Sequence, residues 1–417
     1  MSDIRDRLRR LRRDADPEAP RPAAVEVADG GYDAGWPADV VVGEGRSGES
    51  VAARTTVYEV DAEHGSWRLD EIDAADTEVF PRLTGDASLA ELDLRRAVYL
   101  DVETTGLSGG AGIYVFLVAL GTFDGDRFEL WQGFLPDPAG ERELMAEVAR
   151  RVEDASSVVS FFGKSFDRHR LEDKMQICGV KPTFAGKPHL DLYHPLSSIY
   201  RDAWSDGRLC TCESELVGVR RVDDLPGSFA PAAWMDFLSE RAHRLEDVFR
   251  HNRDDVLSLV TLAAHLGRVE SEFRRGGAEL DGPADVRAAG LARTLDRFGH
   301  REQALVWIER ALERWRGEPS AAIALRMRQA DLWRLGGEAS LALDAYRELA
   351  AAGGILGATC RLQESKLLEH KLKDYPAALD ACRQALELLA AAGPYDRERA
   401  RLEEDGRRRA ERLRTRV

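Results

Sequence analysis

The feature that most restricts the fold is a short apolar segment that ends in two acidic residues. Residues 97–100 are Ala, Val, Tyr and Leu, and Asp101 and Glu103 follow, two positions apart. The apolar run is typical of a buried β-strand, in which residues i and i+2 project from the same face. Both carboxylates therefore point to one place. Either a divalent cation such as Mg²⁺ or Mn²⁺ lies between them, or the strand simply runs into a polar turn.

The residues that follow this strand predict a mixed α/β domain. Residues 113–123 are apolar, residues 127–134 alternate, and the turn at 124–126 joins them, so three strands form an antiparallel meander. An amphipathic helix over 141–152 and a fourth strand over 157–161 come next. This order resembles that of the ribonuclease-H-like fold. The resemblance implies a mixed five-stranded sheet with flanking helices and with carboxylates gathered at one edge.

Three further polar residues have the spacing to reach the same edge. Asp167 follows the fourth strand and opens the next predicted helix, although a plain helix N-cap would also place an Asp there. His251 and Asp255 are one turn apart on a later amphipathic helix and share a face. Such a pair can hold a metal ion and orient or deprotonate its water. The same pair also fits an ordinary surface contact.

Together these acidic motifs resemble those of the DEDD, or DnaQ-like, 3′-to-5′ exonucleases. More closely, five separated segments resemble the YprB-like ribonuclease-H-like family. The match covers about residues 55–267, with segments that begin at Leu100, Ser160, Asp191, Leu216 and His251.

The resemblance implies a nuclease with two Mg²⁺ or Mn²⁺ ions. The ions would be held by Asp101, Glu103, Asp167 and Asp255. His251 has the spacing of the Tyr in the tyrosine branch and the chemistry of the histidine branch. Either it orients or deprotonates the attacking water, or activity is weakened. Phe162 stands where relatives usually have Asn, a departure that predicts weaker activity. Contacts to the substrate are expected from Thr104, Gly106, Leu107, Lys164, Phe166 and Asp191. Of these, Lys164 would meet a phosphate, and Asp191 is either an extra acidic neighbour or a helix cap.

The C-terminal part has the pattern of helical-hairpin repeats. Three helices share one Ala-Leu frame at Ala304, Ala342 and Ala378, which are 38 and 36 residues apart. The pattern resembles tetratricopeptide (TPR) repeats and predicts either docking of a protein partner or packing against the nuclease domain. We expect four parts: a basic helix and irregular segment over 1–54, the ribonuclease-H-like domain over 55–270, all-α TPR-like repeats over 284–392 and a charged tail over 393–417.

Composition limits the possible functions. No apolar run approaches the roughly 20 residues of a spanning helix, and no secretory signal follows the N-terminal arginines, so we expect a cytoplasmic protein without a membrane partner. Five scattered cysteines favour free thiols over a zinc site. The net charge of −15 argues against a general nucleic-acid coat but not against a nuclease with a local basic surface.

The sequence therefore predicts a metal-dependent nuclease, in particular a 3′-to-5′ exonuclease that acts on single-stranded DNA or RNA. Two alternatives stay open. A ribonuclease-H-like domain without turnover would serve, together with its repeats, as a nucleic-acid-binding scaffold. An endonuclease on the same fold would instead cut the RNA strand of a hybrid duplex.

Overall fold

The structure is a computed structural model that describes residues 35–45, 48, 50–106, 112–221, 224–275, 284–316, 318–391 and 397–417. The predicted N-terminal basic helix lies outside these residues, and so does Leu107. The described residues form an α/β domain followed by a run of helices.

A seven-stranded mixed sheet forms the centre of the α/β domain. Its strands are β1 Val41–Glu44, β2 Ser50–Glu59, β5 Ala97–Thr104, β6 Val115–Asp124, β7 Arg127–Phe134, β8 Ser157–Ser160 and β9 His189–Asp191, and a separate hairpin joins β3 Glu63–His64 to β4 Trp67–Arg68. The strand order is β1-β2-β7-β6-β5-β8-β9. The pairs β5–β8 and β8–β9 are parallel, and the others are antiparallel.

The predicted ribonuclease-H-like α/β fold is confirmed, but the predicted number of five strands is wrong. The two additional strands lie at the edge beyond β7, where β2 pairs antiparallel with β7 from Ala52 to Glu59. Residues 55–60 alternate as a strand does, but the alternation does not show that β2 joins the main sheet. Much of β2 is exposed. Its place is fixed by the backbone groups of β7, which need hydrogen-bond partners at that edge.

The α/β domain contains seven α-helices among the described residues. They are α1 Val79–Thr84, α2 Glu141–Asp154, α3 Asp167–Ile177, α4 Tyr193–Tyr200, α5 Leu209–Cys212, α6 Ala230–Leu238 and α7 Leu245–Arg275. The last of these is the long helix that carries His251 and Asp255. A π-helical turn, Glu213–Val217, directly extends α5.

The sheet separates two buried clusters, and the alternation of β5 divides its residues between them. Tyr99 belongs to the cluster that includes Val256 and Val260 of α7, whereas Leu100 belongs to the cluster that includes α2 and the start of α7. Asp101 and Glu103 continue the series of Tyr99, because alternate residues of a strand share a face. Both acidic residues therefore lie on the side of the sheet that α7 covers.

The C-terminal part is all helical, which fits the predicted repeats. Its helices are α8 Ala284–Arg297, α9 Arg301–Arg314, α10 Pro319–Gly336, α11 Ala339–Ala350, α12 Gly354–Leu367, α13 Tyr375–Ala391 and α14 Arg397–Arg414. The frame residues Ala304, Ala342 and Ala378 are fully buried. Within the segment expected to be a charged tail, Arg397–Arg414 form α14, and its Leu413 is buried in the core of the repeats.

The first repeat helix packs directly on the α/β domain. Gly290 of α8 lies so close to α4 that an added Cβ would be 1.8 Å from the carbonyl oxygen of Ile199. Nearby, the hydroxyls of Ser198 and Thr294 are 2.8 Å apart. Leu295 belongs to the same buried cluster as Ile199. Of the two roles predicted for the repeats, packing against the preceding domain therefore applies to α8.

We expect Gly290→Ala to destabilise the protein by about 1–3 kcal/mol, because the new methyl group must displace the backbone of Ile199. Chemical denaturation would measure the free energy of unfolding. Gly336→Ala is the matched control, since no atom lies within 4 Å of a Cβ added there. Equal effects of the two substitutions would contradict close packing of α8 on α4.

None of the helices in the described part of the chain combines the length and apolarity that crossing a membrane requires. The five cysteines all lie within the described residues and are free thiols, as their spacing predicts.

Candidate active site

Four carboxylates from three elements meet at one end of the sheet, and we call them the carboxylate cluster: Asp101, Glu103, Asp167 and Asp255. The first two end β5, Asp167 begins α3 just after β8, and Asp255 lies in α7. The parallel pairing of β8 with β5 brings Asp167 to this end. Glu103 and Asp167 are only 9% and 7% exposed.

Burial and mutual repulsion raise the pKa values within the cluster. Burial of the Asp101 carboxyl group holds its pKa well above the usual range, and the charges of Asp255 and Asp167 add to the effect. The pKa of Glu103 is raised by burial and then by Asp101. Burial, Asp191 and Asp255 raise the pKa of Asp167 to about 8. The cluster therefore binds protons near neutral pH unless a cation compensates its charge.

The donor set of this cluster fits Mg²⁺ or Mn²⁺, which prefer oxygen ligands. Asn252 of α7 donates to Asp101 Oδ2 at 2.7 Å. The Oδ1 atom of Asn252 in turn accepts a bond from Gln132 Nε2 at 2.9 Å. Such outer contacts fix the orientation of a ligand. Within the described residues, however, no three His, Cys, Asp or Glu side chains converge closely enough to hold an ion.

Arg221 connects the cluster to a second buried acid. Its Nη2 donates to Asp255 Oδ1 and to Glu213 Oε1, which is 2.5 Å away, and its Nε donates to Glu213 Oε2 at 2.9 Å. The Glu213 side chain is fully buried, and Ser258 Oγ donates to it at 2.5 Å. One guanidinium therefore compensates two carboxylates in a largely water-free position.

His251 lies between Asp224, Arg221 and Asp255. Its Nδ1 is 2.9 Å from both Asp224 Oδ1 and Arg221 Nη1, and its Nε2 is 3.8 Å from Asp255 Oδ2. Burial lowers the pKa of His251, but the charge of Asp255 and the bond to Asp224 outweigh burial, so the net shift is upward. Nδ1 can either accept from Arg221 or donate to Asp224, but not both at once. A proton on Nδ1 directed at Asp224 would leave Nε2 free to accept another, as a general base requires.

The residues after β5 shape a turn. Thr104 is buried, and its Oγ1 donates to the carbonyl oxygen of Gly106 at 3.1 Å. Leu107 lies outside the described residues. Lys164, expected to meet a phosphate, forms an ion pair with Asp86 at 2.7 Å. A phosphate at Lys164 would therefore have to compete with that pair.

Asp191 anchors the loop between β8 and α3. Its carboxylate is buried and accepts backbone N–H groups from Phe162 at 2.7 Å and from Lys164 and Tyr193 at 3.2 Å each. The sequence left open a helix cap or an extra acidic neighbour. Only the bond from Tyr193 comes from the start of a helix, and the N-cap of that helix is Leu192. The charge of Asp191 also acts on Asp167. Phe166 directly precedes α3, and the guanidinium of Arg170 lies 5.1 Å from its ring centroid.

Sequence reasoning missed four residues of this site: Glu213, Arg221, Asp224 and Asn252. Two of them, Arg221 and Asp224, belong to the segment from Leu216 that carries part of the family resemblance, and Asn252 directly follows His251. Their position within those motifs is the one sequence feature that could have identified them as site residues. Their spacing contains no periodicity that would reveal a contact with Asp255.

We expect the metal-free protein to lose thermal stability as pH rises from about 4 to about 8. The pKa values of Asp101, Glu103 and Asp167 are higher in the folded protein than the unfolded value near 4. The stability contributed by these groups is therefore full below the unfolded value. It falls as pH rises from the unfolded to the folded value, which is about 8 for Asp167, and is lost above it.

Mn²⁺ should flatten this dependence, because a bound ion replaces the protons. Melting temperatures in EDTA and in Mn²⁺ at pH 5 and pH 8 would measure both effects. A melting temperature that Mn²⁺ leaves unchanged at pH 8 would argue against a cation site in the cluster.

The residues of this site lie in a part of the chain that is similar to known proteins. Residues 98–267 match the model of the RNase H superfamily. The chain is also 28% identical over 311 residues to the Uncharacterized protein YprB of Bacillus subtilis (strain 168), with 72% of this chain and 71% of that protein covered. The superfamily match runs from β5 into α7 and includes the whole carboxylate cluster and His251. Residues 98–267 are therefore an RNase H superfamily domain.

Proposed function

We propose that the protein is a metal-dependent nuclease that hydrolyses phosphodiester bonds from the 3′ end of single-stranded DNA or RNA. The observation that carries this proposal is the carboxylate cluster with His251 beside it. Enclosed like charges are costly for a fold and are retained where they bind a cation or do chemistry. The RNase H superfamily domain supports nuclease chemistry. The polarity and the single-stranded substrate are proposed from the DEDD-like order of the acidic motifs.

Within this proposal, the cluster divides between two metal ions. Asp101, Glu103 and Asp255 would hold one ion, and Asp101 with Asp167 would hold the other. The three carboxylates of the first ion would have to draw closer together on binding, because no three such side chains of the described residues lie close enough in this structure. When bound, the ions supply Lewis-acid stabilisation of the charge on the phosphate. Asn252 keeps the Asp101 carboxylate in place for this role.

The proton transfer would depend on His251. Its Nε2 faces Asp255 and would take a proton from the attacking water. Asp224, 2.9 Å from Nδ1, would keep the ring oriented and stabilise the positive charge that forms on it. Arg221 donates to Asp255 and so fixes that carboxylate. Its Nη1 also lies 2.9 Å from Nδ1, but it cannot donate to this atom while Nδ1 carries the proton shared with Asp224.

One contact favours a second candidate, a nucleic-acid-binding scaffold without turnover. Arg221 donates to Asp255, so a cation of the chain itself already neutralises one of the proposed metal ligands. A domain that kept this ion pair permanently would bind metal weakly.

Degradation of end-labelled strands tests the proposal. Single-stranded DNA, single-stranded RNA and an RNA–DNA hybrid, each labelled at the 5′ end, would be incubated with Mg²⁺ or Mn²⁺ and, separately, with EDTA. We expect a ladder that shortens progressively from the 3′ end and requires the metal. Internal cuts of the hybrid would instead favour an endonuclease. Binding without cleavage of any strand would favour the scaffold.

A further inference from the structure

We propose that Phe162 is a stacking surface for a base of the substrate, immediately beside the carboxylate cluster. The identity of the ligand rests on the proposed function. The position of the ring, and the way in which its backbone is held, are independent of that function.

Phe162 has a backbone conformation that its side chain does not favour. Its φ is 60°, in the left-handed region that Gly and Asn occupy most readily. An aromatic residue adopts this conformation at a cost in stability, and such strained residues concentrate at functional sites. The strain therefore makes Phe162 a candidate functional residue.

A buried carboxylate holds Phe162 in this conformation. Asp191 Oδ1 accepts the N–H of Phe162 at 2.7 Å. The next residue, Gly163, leaves no room for a side chain, because an added Cβ would lie 2.6 Å from Ser160 Oγ and 2.8 Å from Asp167 Oδ2. Gly163 therefore packs directly against Asp167 of the carboxylate cluster, and Phe162 is the preceding residue.

The ring itself is half-buried and has no parallel partner. Tyr193 meets it at an angle of 77° with centroids 4.9 Å apart, and His194 is 6.2 Å away and tilted by 53°. In the part of the chain that the structure describes, no ring stacks face to face on Phe162. These two neighbours restrict the ring without taking the place of a stacked base.

The chemistry of this surface suits a nucleobase of a single strand. Stacking on an aromatic ring accepts any base and strengthens binding by roughly five- to a hundredfold. The adjacent cation, Lys164, is already paired with Asp86, so this part of the site offers an apolar ring more readily than a free charge. We therefore assign to Phe162 a base next to the bond that is cut, rather than a phosphate.

Fluorescence of 2-aminopurine tests the inference without requiring cleavage. A short DNA strand with this base at its 3′ end would be titrated into the Asp101→Asn variant, and a second strand would carry it at the penultimate position. We expect quenching on binding for one of the two strands. Adding Phe162→Leu should remove the quenching and weaken binding about five- to a hundredfold, whereas Phe162→Tyr should preserve both.

Two further variants separate stacking from folding. Phe162→Asn suits the left-handed backbone, so it should raise the melting temperature while it weakens binding. Tyr375→Leu in α13 makes a comparable change far from the cluster and should leave binding unchanged. Equal binding and quenching in the Asp101→Asn protein with and without Phe162→Leu would overturn the inference and leave the nuclease proposal intact. No quenching on binding of either strand would also overturn the inference, and the nuclease proposal would still depend on the cleavage assay alone.

Discussion

Replacing Asp101 with Asn is expected to abolish metal-dependent cleavage while leaving the fold intact. Asp101 is the member of the cluster assigned to both ions, and a bound metal contributes several kcal/mol to the stabilisation of the transition state. At about 1.4 kcal/mol per tenfold change, its loss slows cleavage on the order of 10³-fold or more. An Asn retains an oxygen that can accept the bond from Asn252 Nδ2, so the local geometry survives.

The same substitution should stabilise the metal-free protein at pH 8. The pKa of Asp101 is raised by burial and by Asp255 and Asp167, so its ionisation opposes folding as pH rises. Asn cannot ionise, and the gain should vanish at about pH 3, which is below the unfolded value, because the Asp carboxyl is then protonated in both states. Melting temperatures in EDTA at the two pH values would measure the difference.

Asp254→Asn is the matched control for both measurements. Asp254 lies next to Asp255 in the same helix, but its carboxylate pairs with Arg253 at 2.7 Å. We expect normal cleavage and little change in stability from this variant. Full cleavage by Asp101→Asn would contradict the assignment of Asp101 as a metal ligand, whatever its effect on stability.

The parts of the site that follow from local geometry were predictable from sequence. Asp101 and Glu103 share a face because strand alternation depends only on neighbouring residues. His251 and Asp255 share a face because one helical turn separates them. The parallel order of β5 and β8 is a general property of the resembled fold, and it accounts for the position of Asp167.

The rest depends on contacts between distant segments. Arg221 reaches Asp255 across 34 positions of sequence, and nothing in the pattern around Arg221 distinguishes a buried guanidinium from an exposed one. The role of Asp191 depends on three backbone N–H groups of loops whose conformation the sequence does not specify. From the sequence, Phe162 in place of the Asn of relatives predicted weaker activity. Only the structure shows that the backbone of Phe162 is left-handed, a strained conformation for an aromatic residue.

Removing Arg221 is expected to have the largest effect on stability. Arg221→Met leaves the Glu213 side chain, which is 0% exposed, without the cation that compensates it. Breaking a buried ion pair in this way costs about 3–5 kcal/mol. Burial already raises the pKa of Glu213, and Arg221 lowers it, so without Arg221 the group will favour its protonated form. The loss in the free energy of unfolding should therefore be smaller at pH 5 than at pH 8.

The double variant Glu213→Gln/Arg221→Met separates the effect of Arg221 on the charge of Glu213 from its effect on the positions of His251 and Asp255. It removes both charges, so most of the lost stability should return, as measured by chemical denaturation. Cleavage should stay slow, because His251 and Asp255 still lack the guanidinium that contacts both. A double variant as unstable as the single one would mean that Arg221 acts through packing rather than through charge.

Arg151→Met supplies the comparison that makes this result specific to the active site. Arg151 pairs with Glu147 at 2.7 Å, and the Glu147 side chain is also 0% exposed, but the pair lies in α2 on the other side of the sheet. Its loss should reduce stability and leave the cleavage rate per folded molecule unchanged. If Arg221→Met behaved in the same way, Arg221 would stabilise the domain without positioning His251. If cleavage instead falls only in the Arg221 variants, the ion pair with Asp255 belongs to the working site, and the scaffold loses the contact that favours it.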